Sequence, residues 1–76
     1  MKSDITLVDA QGLDCPMPLL LAKRALNGME AGQQLELQST DSASQRDFEV
    51  FVQQTGHVMV ASNEMDGVFT FLIEKR

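Results

Sequence analysis

The chain has 76 residues, which is enough for one domain with a small hydrophobic core and too few for a second. Eleven acidic and six scattered basic residues give a formal net charge of −5, so direct nucleic-acid binding is disfavoured. No apolar run approaches membrane-spanning length, and residues 1–4 lack the apolar stretch of a secretory signal. Since small secreted domains usually carry several cysteines and this chain has one, residues 1–76 are expected to form a single cytoplasmic domain without membrane contact.

The first half of the chain is predicted to form a strand, a helix and a second strand. Apolar residues within 5–8 indicate a short first strand. A helix is predicted over residues 16–27, because its apolar residues recur at helical spacing and Gly28 follows as a stop. Residues 35–38 alternate between Leu and polar side chains, which predicts a half-buried strand.

A second helix is predicted to begin within residues 41–44. Ser44 is followed three positions later by Asp47, a weakened form of the capping box, in which Glu or Gln is preferred at that position. Gly56 is suited to the end of this helix, since glycine readily adopts the left-handed conformation found there.

Two further strands are predicted over residues 57–64 and 68–74, joined at Asp66-Gly67, a strong hairpin signal. The order of elements is therefore βαβαββ. Two amphipathic helices on one face of a four-stranded mixed sheet would give an α+β fold, a two-layer sandwich. The strand–helix–strand opening predicts a parallel, right-handed crossover.

The informative segment is Gly-Leu-Asp-Cys-Pro-Met-Pro, at the predicted entrance to the first helix. Cys15 is expected to cap the helix, with Pro16 at the first helical position, where its missing N–H costs nothing. Pro16 and Pro18 stiffen the backbone and leave the N–H of Met17 pointing out of the helix end, toward the sulfur. The helix dipole favours a thiolate or persulfide on Cys15 and the adjacent Asp14 opposes it, so a modest net shift of the thiol pKa is expected.

A free cysteine is often a buried apolar residue without chemistry. The position of Cys15 between Asp14 and two prolines favours the other interpretation, an exposed nucleophile. Asp14, Pro16, Met17 and Pro18 are therefore predicted to support it.

The sequence resembles the TusA/SirA-like family of small sulfur carriers, on the Cys-Pro-x-Pro signature formed by residues 15–18 and the Gly-Leu before it. The resemblance covers residues 5–75, and its later matching positions are Lys23, Leu26, Gly32, Asp41, Arg46, Asp47, Gly56 and His57. It implies a βαβαββ sandwich similar to the C-terminal domain of translation initiation factor 3. It also implies that Cys15 takes persulfide sulfur from a cysteine desulfurase and relays it to a downstream acceptor.

The family resemblance leaves the pathway open. Its members serve tRNA 2-thiouridine synthesis, sulfur oxidation, molybdenum-cofactor supply or selenium handling. Met17 stands where the tRNA-thiolation branch carries Glu, and Ser42 stands where many members carry Pro. Both positions lie where a partner would dock.

Three charged residues are candidate contacts for a partner protein. Asp41 follows the second strand, at the sheet edge where the first helix begins, so it either borders the Cys15 site or caps the second helix. Lys23, like Arg24, either contacts an acidic partner surface or belongs to a solvated helix face. Arg46, with Asp47, either orients a loop beside Cys15 or forms a local ion pair of little consequence.

No cofactor or metal is expected on this chain. It has four Phe and neither Trp nor Tyr, which argues against a large aromatic ligand cavity. His57, the only histidine, is predicted at the far end of the second helix from Cys15, and one Cys with one His does not make a metal site. A monomer is expected.

Two other functions compete with sulfur transfer. One is a non-catalytic interaction module whose cysteine is a redox switch or incidental. The other is RNA binding, which rests on fold analogy alone and is opposed by the acidic charge.

Overall fold

The computed structural model describes residues 5–76, in which six elements follow one another in the predicted order. They are β1 Ile5–Ala10, α1 Met17–Asn27, β2 Gln34–Ser39, α2 Ser44–Thr55, β3 Val58–Met65 and β4 Val68–Glu74. Neither helix of this part of the chain is long and apolar enough to cross a membrane. Residues 1–4, whose composition argues against a secretory signal, lie outside the described residues.

The four strands form one mixed sheet in the order β1-β2-β4-β3. β1 and β2 are parallel, whereas β4 is antiparallel to both β2 and β3. Side chains alternate along each strand, so every second residue of β2 and β4 is buried under the helices. The opposite face is open, and Leu7 on it is 73% exposed. The predicted α+β two-layer sandwich is confirmed.

The core lies between the sheet and the two helices. Phe48 of α2 stacks on Phe71 of β4, with ring centroids 4.7 Å apart, and both side chains are almost completely buried. Leu26 of α1 and Leu35 and Leu37 of β2 complete its centre. Helical spacing on one side and strand alternation on the other thus point apolar side chains into one layer.

The β3–β4 hairpin confirms the predicted turn. Asp66 has φ 53° and Gly67 has φ 81°, so both central residues of the two-residue loop lie in the left-handed region that an Asp-Gly pair tolerates. β3 starts one residue later than predicted, at Val58. His57 precedes it and accepts a hydrogen bond at Nδ1 from the backbone N–H of Arg76, at 3.0 Å.

The predicted start of the first helix is wrong by one residue. Pro16 is the cap, with φ −101° and ψ 16°, and α1 begins at Met17. The carbonyl of Pro16 accepts the N–H of Leu20 at 3.0 Å, which is the bond that a cap residue makes. Cys15 therefore lies one residue before the cap, in the β1–α1 loop.

The predicted capping box at α2 is not formed. Ala43 is the cap, and no side chain bonds to the helix end. The hydroxyl of Ser44 instead pairs with that of Ser39 at 2.6 Å inside the core, where buried hydroxyls need a hydrogen-bond partner. Ser39 Oγ also accepts the N–H of Asp41, at 3.1 Å.

Candidate functional site around Cys15

Two loops meet at the edge of the sheet where β1 and β2 end. Because these strands are parallel, the β1–α1 loop and the β2–α2 loop leave the sheet on the same side. The backbone N–H of Gly12 donates to Thr40 Oγ1 at 2.9 Å and ties the loops together. Gly12 has φ +81°, a conformation that side chains disfavour, so glycine suits this position. Cys15 follows in the same loop with its thiol exposed.

The thiol of Cys15 has a specific partner in α2. Cys15 Sγ donates to Asp47 Oδ2 across 3.3 Å, although the two residues are 32 positions apart in the chain. Asp47 lies in the first turn of α2 and is half-buried. The local ion pair between Arg46 and Asp47 is not formed, and the salt bridge found within residues 5–76 joins Arg76 and Glu74.

This contact raises the pKa of the Cys15 thiol above its ordinary value. The hydrogen bond to Asp47 is the largest cause, followed by partial desolvation and by the negative charges of Asp47 and Asp41. The physical reason is that a carboxylate accepts a hydrogen bond from the thiol and repels the thiolate. The acidic group that matters is therefore Asp47 and not the sequence neighbour Asp14.

The helix end offers less to the sulfur than the sequence predicts. The N–H of Met17 donates to the carbonyl of Asp14 at 2.8 Å, so it does not reach the thiol. Pro16 and Pro18 have no N–H. Three of the groups that make a helix N-terminus attractive to an anion are thus absent or already bonded. This explains why the raising effect of Asp47 prevails.

The supporting residues divide between core and surface. Pro18 is one of the buried residues of α1, in its first turn. Met17 is 42% exposed beside Cys15. Three other apolar side chains of these elements are exposed: one in the loop of Cys15, one in α1 and one in α2, where it lines the groove between the helices with Asp47. We call the four residues the apolar rim: Leu13, Met17, Leu20 and Val50.

Two basic candidates lie close to Asp47. Lys23 of α1 and Arg46 of α2 both line the groove between the helices, as does Asp47 itself. Lys23 Nζ also lies over the ring of Phe51, 5.9 Å from its centroid. The groove therefore continues from the thiol's partner toward two exposed cations.

Asp41 is placed by the β2–α2 loop. Its Oδ1 accepts the N–H of Ala43 at 3.3 Å, and its carbonyl accepts the N–H of Ser44 at 3.0 Å, so it shapes the start of α2. Its Oδ2 is buried without a hydrogen-bond partner within the described residues. Its charge also acts on Cys15. Asp41 is thus not the cap of α2, which is Ala43, but it supports the turn before the helix and acts on the Cys15 site through its charge.

His57 lies apart from this group. Its ring packs at 5.8 Å from that of Phe51 and accepts the N–H of Arg76. Burial, and then the charge of Lys75, lower the pKa of His57. Within residues 5–76 no three His, Cys, Asp or Glu side chains are grouped in a way that could hold a metal ion.

Sequence patterns do not single out Asp47 as the partner of the thiol. They leave Arg46 and Asp47 two tasks, to orient a loop beside Cys15 or to form a local ion pair, and they also place Asp47 in a weakened capping box. The signal that could have found it is topological: a parallel β1–β2 pair brings the starts of both helices to one edge.

Comparison with known proteins identifies the family. The family model for sulfurtransferase TusA matches residues 6–75. A sulfur carrier protein TusA from Allochromatium vinosum is 48% identical over 68 residues, which cover 90% of each chain. A putative sulfur carrier protein from Bacillus subtilis is 39% identical over 75 residues and 99% of each chain.

A solved structure agrees with both sequence matches. The crystal structure of a SirA-like protein from Desulfitobacterium hafniense superposes with a TM-score of 0.79 at 29% identity, covering 92% of this chain and 95% of that one. The family pattern thus extends over β1 to β4 and includes the loop that carries Cys15. On its pattern, its length and its fold alike, the chain belongs to the sulfurtransferase TusA family.

Proposed function

We propose that this protein is a sulfur carrier that holds one transferable sulfur atom as a persulfide on Cys15. A cysteine desulfurase supplies the sulfur and a downstream acceptor protein receives it. The observation that carries the proposal is the exposed thiol in a loop fixed at one edge of the sheet. The names of the similar proteins, sulfur carriers from Allochromatium vinosum and Bacillus subtilis, support it. So does the Cys-Pro-Met-Pro segment, which fits the family's Cys-Pro-x-Pro signature.

The chemistry requires only one thiol from this chain. The Cys15 thiolate attacks the outer sulfur of the donor persulfide, a new S–S bond forms on Cys15, and the donor's S–S bond breaks. The donor cysteine leaves as a thiolate and takes up the proton that Cys15 lost. In the second step an acceptor thiolate attacks the outer sulfur, and Cys15 is restored. No net oxidation occurs, so neither step needs an electron acceptor.

The surface around Cys15 is suited to docking on two enzymes in turn. The apolar rim offers contacts that a partner can bury, and Lys23 and Arg46 add positive charge at its side. We infer that Lys23, Arg46 and Asp41 contact the donor, the acceptor or both. A partner that approaches Cys15 with acidic groups would meet these two cations first.

tRNA 2-thiouridine synthesis is the destination that we propose to test first, with the carrier acting in the cytoplasm as a monomeric single domain of residues 1–76. The carrier would pass its sulfur to another protein and not touch the tRNA itself, in keeping with its net charge of −5. Loss of the thiolated nucleoside after deletion of the gene would support this destination. An unchanged nucleoside content would direct the search to another acceptor.

The central experiment is sulfur loading. The protein is incubated with a cysteine desulfurase and cysteine, and its intact mass is measured before and after reduction. We expect wild type to gain one reducible sulfur atom and Cys15→Ser to gain none. If wild type stays unmodified with several desulfurases, an interaction or redox-regulatory module is the better interpretation. If Cys15→Ser is loaded as well, the persulfide is not on Cys15.

A further inference from the structure

We propose that Asp47 is a positioning residue that holds Cys15 as an unreactive thiol, turned toward α2, while the carrier is free. This inference concerns regulation of the same site and rests on the proposed function. It assigns to Asp47 a specific task, which is to make the free carrier a poor nucleophile toward small electrophiles and oxidants. Such a restraint is useful to a carrier, because an exposed thiolate also reacts with molecules other than its donor.

The geometry supplies the first argument. Cys15 Sγ and Asp47 Oδ2 are 3.3 Å apart, a normal distance for a hydrogen bond from a thiol. Two separate structural features hold the partners. The bond from Gly12 to Thr40 fixes the loop of Cys15, and the helical bond from the Asp47 N–H to the Ala43 carbonyl, at 3.0 Å, fixes the first turn of α2.

The charges around the sulfur supply the second argument. From α2 the thiol faces Asp47, and from the β2–α2 loop Asp41 acts on it with the same sign. Asp14 precedes it in its own loop. The cations of the neighbouring groove, Lys23 and Arg46, form no salt bridge with Asp47 among the described residues. The carboxylate of Asp47 is thus available to the thiol, and a thiolate would form beside an unneutralised negative charge.

The backbone at the start of α1 supplies the third argument. The N–H of Met17 is bonded to Asp14, and Pro16 and Pro18 offer none, so the start of α1 gives a thiolate little compensation. Asp47 is therefore the side chain with the largest effect in keeping the Cys15 thiol protonated. Its replacement by a neutral side chain removes both the hydrogen-bond acceptor and the repulsion.

The test measures the ionisation and the alkylation rate of Cys15 in the free protein, without any sulfur donor. Thiolate formation is followed by ultraviolet absorbance between about pH 6 and pH 11, because this range covers the titration of most thiols. The rate of alkylation by iodoacetamide is followed by mass; there the thiolate displaces iodide, an S–C bond forms, and the proton goes to solvent. We expect Asp47→Asn to lower the apparent pKa of Cys15 and to raise alkylation at neutral pH roughly two- to fivefold, the range of exposed charge interactions. The gain in rate should be smaller than the gain in thiolate, since nucleophilicity falls with pKa.

Matched variants separate positioning from overall charge. Glu49→Gln removes the same charge from an exposed position of α2 and should titrate like wild type. Asp47→Ala is a second neutral variant in case Asp47→Asn does not fold, and circular dichroism reports the fold of each. The proposal is overturned if a folded Asp47 variant keeps the wild-type pKa, or if Glu49→Gln shifts it equally. Because no donor is present, a failure of sulfur loading does not affect this result.

Discussion

The single thiol is governed by residues that are distant in sequence. Cys15 contacts Asp47 of α2, and Asp41 adds a second negative charge from the β2–α2 loop. Neither is a sequence neighbour of Cys15, whereas the backbone carbonyl of the neighbour Asp14 accepts the N–H of Met17. At the scale of the residue, the reactivity of the carrier is therefore a property of the folded state.

The contact between Cys15 and Asp47 predicts a pH dependence of thiol reactivity that differs between the folded and the unfolded chain. In the folded protein the midpoint of the rise in reactivity toward iodoacetamide should lie above pH 9.0, the ordinary pKa of a cysteine, because the pKa of Cys15 is raised. In urea the midpoint should lie near the ordinary value, since Asp47 is no longer close. The measurement is the alkylation rate against pH in buffer and in urea.

The raised pKa of Cys15 also determines how the stability of the fold changes with pH. The folded state holds the thiol proton more tightly, so the stabilising contribution is complete below the unfolded pKa and is lost as pH rises through the folded pKa. Cys15→Ser should lose less stability over that alkaline range than wild type. Superimposable rate profiles of the folded and unfolded chains would show that the fold does not raise the pKa.

The elements of the fold could be predicted where the sequence carries a local pattern. Alternation predicted β2, and the Asp66-Gly67 pair predicted the β3–β4 turn, because positive φ values strongly limit which residues fit. The first residues of the two helices were harder to predict from the sequence. Pro16 fits either the cap or the first helical position by its own geometry, and Ser44 uses its hydroxyl for Ser39, a partner brought close by packing.

The candidate site was predictable only in part for the same reason. The position of Cys15 before a helix and between prolines is visible in the sequence. Its contact with Asp47 joins two elements 32 positions apart and depends on the parallel pairing of β1 and β2. A pattern within one helix carries no information about such a contact.

The packing of α2 on the sheet gives a prediction about stability. Phe48 is completely buried and stacks on Phe71, so Phe48→Ala should lower the free energy of unfolding by about 3–5 kcal/mol, from lost burial and the cavity that remains. Val50→Ala, on the exposed side of the same helix, should change it by at most about 0.5 kcal/mol. Urea unfolding followed by circular dichroism measures both. Equal effects of the two variants would contradict the assignment of α2's buried face.

On the scale of the whole molecule, both layers carry acidic side chains, and two exposed cations lie together beside the groove between the helices. The open face of the sheet carries acidic side chains, among them Glu36 of β2 and Glu74 of β4, whose positions alternate with the buried ones. The helical layer carries Lys23 and Arg46 beside the groove that leads to Asp47. A net charge of −5 therefore coexists with a local pair of cations near the thiol. We expect acidic groups of a partner to contact these two cations beside the groove.

This distribution predicts how docking responds to charge reversal. The double variant Lys23→Glu and Arg46→Glu should slow sulfur loading from the desulfurase by roughly tenfold at low salt, because charges near an interface act mainly on the rate of encounter. The difference from wild type should shrink as ionic strength rises. Alkylation of Cys15 by iodoacetamide, a neutral reagent that needs no docking, should change much less. The measurement is the loading rate at several salt concentrations, followed by intact mass.

Arg24→Glu is the matched control for this experiment, since Arg24 is an exposed cation of the same helix that does not line the groove. It alters the net charge in the same sense and should leave loading close to wild type. If Arg24→Glu slows loading as much per charge as the double variant does, only the total charge matters and Lys23 and Arg46 are not docking residues. If the double variant loads at the wild-type rate at low salt, the partner approaches Cys15 from another side, and the apolar rim alone is left to guide it.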